Sequence, residues 1–152
     1  MTSRPPKQLR SSADDEEVAR LKGELHRQAN GYLEAAIQSG YWFEAVAIVE
    51  SLISDRIESY LAKHHGIHTL NSLELNLRYL TKEVSLYKSE DLKLLSDLSS
   101  WKEQRNIAIH EIVKVRESEI LDWHQRLTHA KSTAIEGQKL ASRVKNWSRR
   151  KP

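Results

Sequence analysis

From Val18 to Val144 the apolar residues recur every three or four positions, and nowhere do they alternate one by one between turn residues. At about 100° per residue, positions i, i+3, i+4 and i+7 fall on one side of a helix, so this spacing describes one-faced helices. The fold class it leaves is all-α, and short connections favour an up-and-down helical bundle of four to five helices. The first stretch carries Val18, Leu21, Leu25, Ala29, Tyr32, Leu33, Ala36 and Ile37, and Ser39–Gly40 ends it. The second, about Tyr41 to His64, carries Trp42, Val46, Val49, Ile53, Ile57, Tyr60 and Leu61, with Gly66 as its stop. Ala45, Ile48 and Leu52 widen that face, as expected of a central helix with several neighbours.

A shorter third helix is expected over Leu70 to Val84, with Leu73, Leu77, Leu80 and Val84 as its seam. The fourth opens at Ser89 and runs from about Glu90 to Lys114; Leu95, Leu98, Ile109, Ile112 and Val113 make its stripe. The fifth spans about Glu117 to Trp147, where Gly137 is placed to bend or break it. Residues 1–13, with two prolines, read as a disordered N-terminal arm, residues 14–147 as the bundle and residues 148–152 as a basic tail.

One residue violates the pattern. Arg105 falls inside the stripe of the fourth helix, one turn from Trp101 and Ile109. A permanently charged guanidinium in a core seam is costly unless it is paired. Glu50 occupies the corresponding place in the stripe of the second helix, so the two invite an ion pair that fixes helix packing. Asn106 and His110, four apart, stack on the flank of the same fourth-helix stripe.

The segment Arg105–His110, R-N-I-A-I-H, is an R-x4-H element with Asn after the Arg. It resembles the signature of the HEPN superfamily of small helical domains, many of them metal-independent RNases of toxin–antitoxin and phage-defence systems. The segment Gly40–Leu61, with its alanine-rich start and mid-helix Glu50, is similar to the second helix of such domains. Helix order and length agree from roughly Glu17 to Trp147. The resemblance implies an RNA substrate, no cofactor and a homodimer in which two motif helices build one cleft. It also implies an antitoxin, in some relatives a nucleotidyltransferase that modifies a tyrosine two residues after the His. Here that position is Ile112, which puts that form of silencing in doubt.

The residue types suit the chemistry. An imidazole such as His110 exchanges protons near neutral pH, a planar guanidinium such as Arg105 holds phosphate in two places, and the Asn106 amide can orient ribose or phosphate. Glu50 is a supporting residue. Five residues apart on a straight helix is roughly 140°, so Arg105 and His110 are not expected to be simple neighbours.

Arg143, Lys145, Trp147, Arg149, Arg150 and Lys151 form a second candidate, cations able to track RNA backbone with Trp147 stacking on a base; a solvated end is the plainer alternative. His64, His65 and His68 resemble a metal cluster, yet Gly66 interrupts them and no acid adjoins, so a solvated helix end is expected and no metal. His124 and His129 read as surface residues.

Composition narrows the function classes. With no cysteine there is no disulfide, thiol nucleophile or Cys-type zinc site. The five glycines are scattered, so no phosphate-cradling loop is present. The N-terminal stretch lacks an apolar run and does not read as a signal peptide, and the longest apolar run is Ala45–Val49, so a cytoplasmic protein without a membrane segment is expected. A net charge of +3 does not by itself imply nucleic acid.

Overall fold

The computed structural model describes Leu9 and residues 16–83, 88–115, 117–118 and 120–150. The described residues form a bundle of five helices: α1 (Glu16–Ser39), α2 (Trp42–His65), α3 (Leu73–Lys82), α4 (Ser89–His110) and α5 (Trp123–Ser148). Among the described residues the β-type contact is a single isolated bridge between Leu9 and Thr69. The N-terminal arm other than Leu9, Val84 of the expected third seam, and Lys151 of the tail lie outside the described residues.

α2 is the axis of the bundle and packs on each of the other four helices. Its broad apolar face explains this: Ala45, Val46, Val49, Ile53, Ile57 and Leu61 are all buried. Each large side chain buried there is worth on the order of 1.5–3 kcal/mol relative to exposure. Gly66 ends α2 in the left-handed region at φ 65°, where a residue without Cβ is favoured, and its N–H returns to the Leu61 carbonyl. Ser72 opens α3 by accepting from the Leu75 N–H at 3.2 Å.

Three expected boundaries move, the first being the start of α3, at Leu73 rather than Leu70. α4 ends at His110 rather than Lys114, and α5 begins at Trp123 rather than Glu117. Beyond His110 the described part of the stripe is poorly covered: Ile112 is only half-buried, Val113 is 85 % exposed, and Ile120 is 83 % exposed. The start of α5 is set by a reciprocal cap, in which the Asp122 carboxylate accepts from the Gln125 N–H at 2.8 Å and the Gln125 side chain accepts from the Asp122 N–H at 2.9 Å. At the other end of the connection, the Arg126 guanidinium donates to the carbonyls of Glu111 and Lys114, tying the chain just beyond α4 to α5.

Gly137 does not break α5, which runs through it. It lies where the helix meets Trp101 and Val49 so closely that an added Cβ would sit 2.7 Å from both. The Trp101 indole N–H donates to the Thr133 carbonyl at 2.8 Å, one turn earlier on α5. Trp101 is therefore locked beneath Arg105, which follows it by one turn of α4.

α1 departs from its apolar stripe in a different way. Leu33 and Ala36 are buried, but Leu21 and Leu25 are about half exposed and Tyr32 is exposed. Toward its N-terminus α1 instead meets α2 through polar groups, Lys22 and His26 against Asp55.

Candidate functional site

The anomaly in the α4 stripe is resolved by pairing. Arg105 is 9 % exposed, and its Nη2 lies 2.8 Å from Glu50 Oε1 on α2. The acid that intrudes on one stripe thus neutralises the cation that intrudes on the other, as burial of a guanidinium demands. Its Nε–H is buried without a partner among the described residues.

The other arm of the guanidinium reaches His110: Arg105 Nη1 is 3.2 Å from His110 Nε2. This corrects the expectation that a 140° offset would keep them apart. A long Arg side chain spans the turn, and His110 is the last residue of α4, where the chain departs from helical geometry at Glu111 with φ −115° and ψ 17°. An imidazole nitrogen accepts from a guanidinium only through a lone pair, so Nε2 serves as acceptor in the tautomer that carries its proton on Nδ1. His110 is otherwise exposed.

Asn106 is half-buried beside Arg105, and its amide makes no side-chain hydrogen bond to a described residue. The site is therefore a buried guanidinium gripped by a carboxylate on α2, an exposed imidazole hydrogen-bonded to the same guanidinium, and an adjacent free amide. The first can hold negative charge, the second can exchange a proton, and the third can orient a polar ligand.

Two neighbours escaped the sequence reading. Gln104 Oε1 lies 2.8 Å from His129 Nε2, tying α4 to α5 one residue before Arg105. His129, expected as a plain surface residue, is thus a cross-helix contact. Arg126 fixes the chain just beyond His110, as described above. Nothing in the spacing of Arg126 signals that role, since its acceptors are backbone carbonyls. The Asp122-x-x-Gln125 cap, by contrast, was there to be seen.

The tail residues do not act as one group. Trp147 is 5 % exposed and its ring centroid lies 4.1 Å from that of Tyr60, so its indole is a core residue and is not open to a base. Arg143 donates to Asp97 at 2.7 Å, and Arg150 to Asp91 at 3.3 Å. The hydrogen bond from Arg143, helped by Lys93 and opposed by burial, holds the Asp97 carboxyl below the usual carboxylate range. Lys145 and Arg149 remain exposed, and both line a cleft with α1 and α2.

The histidines around Gly66 also separate. His64 packs its ring on Tyr60 at 4.6 Å, and burial followed by the charge of Lys63 lowers its pKa. His65 Nδ1 is 3.3 Å from the Tyr79 hydroxyl. Among the described residues no three His, Asp or Glu side chains are grouped so as to hold a metal ion. Also among them, no helix is long and apolar enough to cross a membrane. Compared with protein-family models, with curated proteins and with solved structures, the chain matches none.

Proposed function

We propose that this protein is a metal-independent endoribonuclease of the HEPN type, with an up-and-down bundle, from a toxin–antitoxin or phage-defence system. The reading rests on one observation: Arg105 contacts Glu50 and His110 at once, 2.8 Å and 3.2 Å away, beside the unengaged Asn106. In cleavage, the ribose 2′-oxygen attacks the adjacent phosphorus and the bond from phosphorus to the 5′ oxygen breaks. The products are a 2′,3′-cyclic phosphate and a free 5′-hydroxyl. Arg105 stabilises the added negative charge of the phosphorane, Asn106 orients ribose or phosphate, and the exposed His110 imidazole takes or gives a proton.

Two proton transfers are needed, one from the 2′-hydroxyl and one to the 5′ oxygen, while each chain offers one such imidazole. A homodimer joining two α4 ends supplies the second. Val113, Val115 and Ile120, 85 %, 73 % and 83 % exposed in the stretch directly after His110, support contact with another chain there. A protein antitoxin, of nucleotidyltransferase type or otherwise, is the expected partner, with silencing that does not use a tyrosine at position 112.

A second reading has its own support. Because Arg105 is buried and already paired with Glu50, the pair can be architecture, and the chain an interaction module that binds a nucleotidyltransferase-type partner or a nucleotide. Production of wild type and His110→Ala in a bacterial host, followed by RNA cleavage assays in EDTA, separates the two. The nuclease reading expects wild type to be toxic, the variant to relieve that toxicity, and cleavage by the variant to fall about 10²–10⁴-fold. Equal growth and no wild-type cleavage would leave the module.

A further inference from the structure

A cleft of about 1040 Å³ opens between the N-terminal half of α1, the C-terminal half of α2 and the end of α5, away from the Arg105 site. Nine residues along α2 separate Glu50 from Ser59 of its wall, which is about 13 Å of rise and half a revolution, so the two sites face different sides of the helix. Six Lys or Arg residues line the cleft: Lys22, Arg27, Arg56, Lys63, Lys145 and Arg149. The lining contains one acid, Asp55, and it is already engaged, with Oδ1 2.9 Å from Lys22 and Oδ2 2.6 Å from His26.

Lys22 is thereby neutralised and held further by its hydrogen bond to Ser59 at 3.0 Å. The other five cations make no ion pair with a described carboxylate. Two of them oppose each other: burial and then the charge of Arg149 lower the pKa of Arg56, with Asp55 acting the other way. Three helices therefore converge like charges on a concave, partly desolvated space, an arrangement that an anion relieves. Arg27, Arg56 and Arg149 supply planar forks suited to phosphate oxygens. The space is many times larger than one such group requires, and the charge is spread around it.

We propose that this cleft binds a ligand bearing clustered phosphates, independently of the Arg105–His110 site. Such clusters come from a free polyphosphate compound or from the backbone of a single-stranded RNA. The position on another side of α2 favours the free compound. The site does not depend on the chain being a nuclease.

Calorimetric titration of the full chain with inorganic triphosphate, and separately with a single-stranded oligoribonucleotide, tests this. Wild type is expected to bind triphosphate, and Arg56→Gln/Arg149→Gln to bind it at least about tenfold more weakly, as expected when charged hydrogen bonds are removed. His110→Ala should bind like wild type. Because Arg56 is half-buried, Lys145→Gln/Arg149→Gln, at two exposed positions, repeats the test without touching packed groups. Binding of the oligonucleotide alone, lost in the same variants, would assign the cleft to RNA backbone and retain the proposal. Failure of wild type to bind either probe, or binding unchanged in both double variants, would overturn it. Loss of cleavage in His110→Ala with triphosphate binding intact leaves both conclusions standing, and each can fail alone.

Discussion

The two polar regions along α2 are built on opposite principles. At Glu50 one buried guanidinium meets one carboxylate, and charge is matched one to one. Toward the C-terminal end of the same helix, six cations line an open cleft whose single acid is already engaged by Lys22 and His26. The difference teaches where a fold can tolerate unbalanced charge. Burial multiplies the cost of an unpaired ion, so Arg105 must have its partner, whereas solvent in the cleft screens a surplus that a ligand can exploit.

The contrast makes its largest prediction at the matched pair. Glu50→Gln leaves the buried guanidinium without its counter-charge and is expected to cost about 3 kcal/mol, a fall in melting temperature of about 6–12 °C. A melting temperature equal to that of wild type would mean that Arg105 does not need Glu50. Next comes the packing beneath that pair. Gly137→Ala pushes a methyl to within 2.7 Å of Trp101 and Val49, and overpacking of this kind costs about 1–3 kcal/mol, partly offset by the better helix propensity of Ala. Chemical denaturation reads it directly, and a stabilised variant would show that the contact yields.

In the cleft the expectation reverses. Arg149→Gln removes a like charge from beside Arg56 and should leave stability unchanged or raise it, within about 0.5 kcal/mol. A clear loss would place Arg149 among the structural cations and erase the contrast. The smallest effect belongs to the exposed Arg143–Asp97 pair, worth a few tenths of a kcal/mol. Folding lowers the Asp97 pKa, so this contribution is present above the unfolded carboxylate range and is lost as pH falls through the lowered folded value. Arg143→Ala should therefore melt slightly below wild type near neutral pH, with the two curves converging in strong acid.

The helices were largely legible because burial enforces periodicity: the α2 face and the seam Leu73, Leu77, Leu80 are buried as their spacing implies. The pairing of Arg105 with Glu50 was legible for the same reason, since a charge in an apolar stripe must find an opposite one. The C-terminal end of α4 and the start of α5 fall elsewhere than the spacing implies. Apolar residues such as Val113 and Ile120 continue the pattern without any surface to cover them, while the Asp122–Gln125 cap marks the true start of α5.

By itself, then, the order of residues determined the all-α class, the core faces and the need for an acid against Arg105. Only the tertiary structure decided that Arg105 also reaches His110, that Trp147 turns inward onto Tyr60, and that cations from three helices surround one cleft. Periodicity reports which side of a helix is apolar. It is silent on how far a long side chain reaches, where a helix stops, and which distant polar faces are brought together when the core closes.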